Sequence, residues 1–111
     1  MNLDVSSREA GDYIVFEVRG EVDLYSAPKL KQAVYDVIDS GSTKLVLDLD
    51  ALEFMDSTGL GILVASLKRL TTEGGQLKLV CNRDNILKIF KITGLDKVFD
   101  IYETVEASMG A

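Results

Sequence analysis

Phe54-Met55-Asp56-Ser57-Thr58-Gly59-Leu60-Gly61 is the stretch on which the fold turns. It joins the apolar run Leu45-Val46-Leu47-Asp48-Leu49 to a segment in which Leu60, Leu63, Val64, Leu67 and Leu70 recur at helical spacing. A strand therefore enters a helix here, through hydroxyls and glycines. Ser57 or Asp56 is the natural cap, because a short side-chain oxygen at that place accepts a bond from a first-turn amide that lacks an intrahelical partner. A hydroxyl at such an exposed corner can be a cap and nothing more. Gly59 and Gly61 are poor helix formers, each costing up to ~1 kcal/mol relative to Ala. Two readings offset that cost and the sequence leaves both open: close packing of the helix on a sheet, or the approach of another protein to the Ser57 corner.

Towards the amino terminus, residues 3–9 and 13–19 read as two strands around Ala10-Gly11-Asp12, the second alternating Ile14, Phe16 and Val18 against Tyr13, Glu17 and Arg19. They predict an opening hairpin. Residues 20–25 read as a connection, after which Ser26 is expected to cap a helix with Pro28 in its first turn. Leu30, Ala33, Val34, Val37 and Ile38 form the apolar stripe of that helix, and Gly41 ends it. The strand at 44–49 places Leu45, Leu47 and Leu49 on one face and Val46 and Asp48 on the other.

Beyond the central stretch, Glu73-Gly74-Gly75 closes the second helix and residues 76–81 form the next strand. Asn82 and Asp84 offer caps for a helix that turns Ile86, Leu87 and Phe90 inward and stops at Gly94. Residues 98–102 read as a short last strand, and Thr104 caps a final helical turn through Met109. Strands linked by helices make right-handed crossovers, so the chain is expected to be an α/β domain: a mixed, mostly parallel sheet opened by an antiparallel hairpin, with about four helices. Contacts with ligands or partners belong beyond the carboxyl ends of the parallel strands, where Ser57 lies.

The 111 residues match one domain, 1–111, large enough to bury an ordinary core. Twelve basic against eighteen acidic residues give a net charge of −6, which repels phosphate backbones in the absence of a dense basic patch, so no direct nucleic-acid partner is expected. Lys68-Arg69, Lys88 and Lys91 read as solvated helix faces. No apolar run approaches the roughly 18 residues needed to cross a bilayer, and the first residues have neither the basic segment nor the apolar core of a signal peptide. A cytoplasmic protein without membrane contact is expected. There is no histidine, one cysteine and no glycine-rich loop ending in Lys-Ser or Lys-Thr. Zinc sites, cysteine–histidine dyads and P-loop chemistry lack their parts, so neither an enzyme nor a bound metal or cofactor is expected. Cys81, in the alternation Leu77, Leu79, Cys81, reads as a small buried side chain.

Four blocks in order resemble the STAS domains, and among them the free-standing bacterial anti-sigma factor antagonists: Gly20-Glu21-Val22-Asp23 followed by Ser26-Ala27-Pro28-Lys29-Leu30; the strand 45–49; Phe54-Met55-Asp56-Ser57-Thr58-Gly59-Leu60; and Ile86 through Ile92-Thr93-Gly94-Leu95. The resemblance covers nearly the whole chain. It implies partner switching in transcription regulation, such as a stress response. The unphosphorylated antagonist binds an anti-sigma factor that is also a serine kinase and so frees a sigma factor; phosphorylation of one serine ends that binding, and a PP2C-type phosphatase restores it. The matching serine is Ser57, with Thr58 a second hydroxyl beside it. By resemblance Asp23 and Asp56 lie near this site. Leu24, Tyr25 and Ser26 on one side and Thr58, Gly59 and Gly61 on the other complete the expected partner surface, although Leu24 or Ala27 could equally be core.

Two other readings stand beside this one. The first is a STAS sensor domain that binds a nucleotide or small anion at the helix terminus of Ser57, against which the acidic Asp23 and Asp56 argue. The second is a receiver-like domain phosphorylated on Asp48 or Asp50. Residues 3–19 lack the acidic pair that such a domain needs to hold magnesium.

Overall fold

The structure, a computed structural model, describes residues 2–110. Strands β1 (Leu3–Ala10) and β2 (Tyr13–Val22) form the antiparallel hairpin, with Leu3 opposite Gly20 and Ala10 opposite Tyr13. Helix α1 (Ala27–Asp39) leads to β3 (Lys44–Asp48), then β4 (Leu52–Met55) and α2 (Ser57–Thr72). Strand β5 (Gln76–Val80), helix α3 (Asp84–Thr93), a 3-10 turn (Leu95–Lys97), β6 (Asp100–Tyr102) and α4 (Val105–Met109) complete the order. The sheet runs β1-β2-β3-β5-β6, and every pairing except β1 with β2 is parallel. The expected mixed sheet is present.

Period-two alternation divides the sheet into two faces. Phe16, Val18, Leu45, Leu47, Leu77 and Leu79 meet Leu30, Val34 and Ile38 of α1, Leu63 and Leu70 of α2, and Ile86 and Phe90 of α3 in one buried core. At about 25 cal/mol per Å² of apolar surface, each such side chain contributes roughly 1.5–3 kcal/mol. On the opposite face Val15, Val46 and Val80 are covered by Val105 of α4. The small helix is tied down by Lys78, whose buried ammonium donates to the Ser108 carbonyl at 2.7 Å and lies 5.1 and 5.6 Å from the ring centres of Tyr13 and Tyr102.

Several local expectations need correction. Residues 20–22 continue β2 where a connection was expected, because they pair with a strand that the sequence reading lacks. β4 aligns Gly20 with Leu52 and Val22 with Met55. Ser26 precedes α1 without capping it: its backbone is helical and its hydroxyl binds elsewhere. Neither Asn82 nor Asp84 caps α3. Arg83 holds that position without a side-chain bond, and the Asn82 amide instead donates to Asp50 at 2.6 Å. The third and fifth strands each stop one residue early, at Asp48 and Val80. The last strand begins only at Asp100, because the 3-10 turn occupies the residues before it and Phe99 leaves the strand to pack edge-on against Phe90 at 5.8 Å. Thr104 does cap α4, accepting from the Ala107 amide at 3.0 Å.

Candidate functional site

Strands β2 and β4 run parallel and end side by side, so the loops that leave them start together. The Asp56 amide donates to the Val22 carbonyl at 3.1 Å, which sets Asp23 and Asp56, the next residue in each chain segment, at one corner. The sequence reading expects both aspartates near Ser57, and the strand register brings them there.

Asp56 is the cap of α2. Its backbone is extended and its Oδ1 accepts from the amides of Thr58 at 2.9 Å and Gly59 at 3.3 Å. Of the two candidate caps, therefore, Ser57 is not the one. It is the first residue of the helix, exposed, and its hydroxyl makes no hydrogen bond with another described residue. Ser57 thus presents an exposed hydroxyl with no hydrogen-bonding duty among the described residues, whereas Thr58 beside it is half-buried.

The two glycines separate. A Cβ on Gly59 would lie 2.6 Å from Met55 Cγ and 2.8 Å from Val22 Cγ1, so Gly59 lets α2 settle on the ends of β2 and β4. A Cβ on Gly61 would meet nothing within 4 Å, and Gly61 is exposed. Packing explains the first glycine and leaves the second without a structural reason.

Asp23 organises the neighbouring loop. Its Oδ1 accepts from the amides of Tyr25 and Ser26, each at 2.9 Å, while the Ser26 hydroxyl accepts from the Asp23 amide at 2.9 Å and donates to the Glu21 carbonyl at 2.8 Å. These bonds, the Ser26 amide foremost, hold the Asp23 carboxyl below its ordinary value of 3.8, against a smaller opposing effect of burial. The tight turn projects two side chains outward: Leu24 is 66% and Tyr25 87% exposed, while Ala27 is buried in the core. That settles which of Leu24 and Ala27 faces solvent.

Phe54 is a further exposed apolar group, at 44%, that was not singled out in the sequence. The pairing of β4 with β2 skips one residue between Leu52 and Phe54, and this bulge at Glu53 resets the alternation so that Met55 turns inward and Phe54 outward. An apolar residue two places before the cap was the available signal, but a bulge is invisible to a period-two reading.

The same corner offers little to an anion or a metal. The Thr58 and Gly59 amides that would cradle a phosphate are already engaged by Asp56, whose charge also opposes the helix dipole. Among the described residues no group of three or more His, Cys, Asp or Glu could hold a metal ion. Asp48 and Asp50 act in their loops: Asp48 accepts from the Asp50 amide at 3.0 Å, and Asp50 from the Asn82 amide. Cys81 is buried, and burial raises its thiol above the ordinary value. No helix of the described residues is long and apolar enough to cross a membrane.

Comparison with known proteins places the chain in a family and bears out its fold. The family described as STAS domain matches residues 4–108. The anti-sigma-B factor antagonist of Bacillus subtilis is 36% identical over 101 residues, covering 91% of this chain and 92% of that protein. The protein of the same description from Listeria monocytogenes is 38% identical over 112 residues, with 98% and 96% covered. Among solved structures, an anti-sigma factor antagonist from Mycobacterium paratuberculosis superposes with a TM-score of 0.91 at 33% identity, over 98% of this chain and 92% of that one.

Proposed function

This chain belongs to the STAS domain family, and from that premise we propose that it is an anti-sigma factor antagonist switched by phosphorylation of Ser57. The unphosphorylated form binds an anti-sigma factor that is also a serine kinase, and the sigma factor is thereby freed for transcription. Phosphorylation of Ser57 ends the complex, and a PP2C-type phosphatase resets it. The role is regulatory and carried out in the cytoplasm. The observation that carries this reading is Ser57 itself, exposed at the start of α2 with its hydroxyl unengaged among the described residues.

The partner surface follows from the corner. Leu24 and Tyr25 supply apolar area at little cost to the fold, as they already face water. Gly61 leaves room for close approach over the first turns of α2, with Thr58 and Gly59 beneath it. Asp23 and Ser26 fix the loop that presents Leu24 and Tyr25, and Asp56 fixes the helix start. Phosphorylation adds about −1.5 to −2 charges beside Asp56, whose carboxylate already holds the nearest amides. The phosphate gains little from the helix terminus and meets like charge, while a partner fitted to a neutral hydroxyl must desolvate a dianion. The effect falls on binding and leaves the fold intact.

The test is titration of the cognate anti-sigma factor into Ser57→Ala, Ser57→Asp and Thr58→Ala chains, with their melting temperatures measured alongside. Ser57→Ala and Thr58→Ala should bind and Ser57→Asp should lose at least tenfold in affinity, all three melting alike. Equal affinity of all three, or incorporation of phosphate from ATP and the kinase into Ser57→Ala, would remove Ser57 from the switch. The engaged amides disfavour the sensor alternative, so ATP or GTP should leave the melting temperature of the wild-type chain unchanged.

A further inference from the structure

The outer edge of β1 is open from Val5 to Glu9, and its polarity can be read from the pairing. The Glu21 amide donates to the Asn2 carbonyl at 2.9 Å, so in this antiparallel register the even-numbered residues of β1 exchange hydrogen bonds with β2. The backbone groups of the odd-numbered residues point away from the sheet. Lys29 bears this out by donating its Nζ to the Leu3 carbonyl at 2.7 Å from outside. The amides and carbonyls of Val5, Ser7 and Glu9 are left facing solvent along an eight-residue strand that has no proline.

We propose that this edge pairs with the same edge of a second copy of the chain, antiparallel about a two-fold axis through Ser6. Outward-pointing odd residues require odd to face odd, which restricts the axis to positions such as Val5, Ser6 or Ser7. An axis at Val5 sets Asp4 against Ser6, and one at Ser7 sets Arg8 against Ser6. The axis at Ser6 alone among these sets Asp4 against Arg8 of the second copy, twice by symmetry. It also places Glu9 of the second copy opposite Leu3, on the side from which Lys29 already reaches that carbonyl.

Charge therefore matches on both faces of the joined sheet. Within one copy, Asp4, Arg8 and Glu9 form no ion pair among the described residues, although Arg8 favours the charged form of Asp48 from nearby. Charged side chains on an edge strand ordinarily repel further pairing. Here their order along the strand, acid then base, is self-complementary when reversed. The contact is small and polar, which makes the pair transient and concentration-dependent. It lies on the flank of the sheet and does not rest on the Ser57 reading.

Two experiments on the whole chain test it. In the proposed register the Ser6 positions form a non-hydrogen-bonded pair with Cα atoms about 4.5 Å apart, within the span of a disulfide. Ser7 instead faces Val5 of the second copy. Ser6→Cys should oxidise to a disulfide-linked dimer at least tenfold faster than Ser7→Cys, both residues being exposed and Cys81 buried. In sedimentation equilibrium, Arg8→Asp should weaken self-association about tenfold, and the exchanged chain carrying Asp4→Arg with Arg8→Asp should regain it to within about threefold. Equal cross-linking of the two cysteine variants, no cross-linking of either, or no recovery in the exchanged chain would overturn the proposal.

Discussion

Gly59 and Gly61 occupy successive turns of the same helix under opposite constraints. A methyl group at 59 must displace Met55 or Val22, both buried, so Gly59→Ala is expected to destabilise the fold by about 1–3 kcal/mol. At 61 the methyl enters open space and improves helix propensity, so Gly61→Ala should stabilise by up to ~1 kcal/mol. Urea unfolding of the two variants decides this, and the same sign for both would refute the packing account. Gly61→Leu should then weaken anti-sigma factor binding without lowering its urea midpoint, separating the partner role from the fold. Asp48 and Asp23 make a second contrast. Burial foremost, with Asp50 and Glu17 adding like charge against the opposing effects of the Asp50 amide and Arg8, raises the Asp48 carboxyl above 3.8. The folded chain then binds a proton more readily than the unfolded chain, so stability falls as pH rises from 3.8 through the raised value. Asp48→Asn should therefore stabilise the protein at pH 7 and make no difference well below pH 3.8. Asp23 has the opposite sign: its contribution is complete above 3.8 and is lost as pH falls through its lowered value. Denaturant midpoints against pH for wild type and Asp48→Asn check the sign. The sequence reading found Asp56 and Ser57 because capping chemistry is local, and reached Asp23 only through the family resemblance, yet it could not choose between Asp56 and Ser57 as the cap, since both are capping types and the choice lies in one backbone angle.

At the scale of elements, α2 depends on one carboxylate for its start. Asp56→Ala removes the acceptor for two first-turn amides and is expected to lower stability by about 0.5–2 kcal/mol, whereas Asp56→Asn should keep most of it. Thermal or urea unfolding resolves the pair; an equal loss in both would mean that charge, not the hydrogen bond, holds the helix start. Helices and long strands were legible because their apolar periods persist over several turns or alternations: Leu60, Leu63 and Leu70 are buried as the spacing predicts. β4 was not, because four residues with a bulge opposite Gly20 and Glu21 carry no clean period, and its existence depends on β2 extending to meet it. The absent side-chain cap of α3 has a similar cause. Asn82 and Asp84 are good capping residues, but the loop from β3 claims the Asn82 amide through Asp50, a contact 32 residues away in sequence.

The whole molecule carries a net charge of −6, and a phosphate on Ser57 would take it further in the same direction. The mixed, mostly parallel sheet was legible at this scale, because strands joined by helices make right-handed crossovers, but the place of β4 beside β2, which brings their ends into one corner from residues 33 apart, was not. What the linear sequence hides is how the charges are shared there: Asp23 is committed to the amides of its own loop and Asp56 to those of α2, and neither forms an ion pair with a side chain among the described residues. If the switch acts by electrostatics, the loss of partner affinity in Ser57→Asp must depend on ionic strength. The part that arises from the like charge of the surface, felt at the distance of a partner's rim, decays over a Debye length of about 10 Å at 0.1 M salt and about 3 Å at 1 M. The part that arises from desolvating the new carboxylate against the partner is screened far less. The affinity gap between Ser57→Ala and Ser57→Asp should therefore narrow from low salt to 1 M without closing, while both variants keep the same melting temperature. A gap that closes fully would assign the switch to long-range repulsion alone, and a gap that does not change would assign it to the shape of the contact at Ser57.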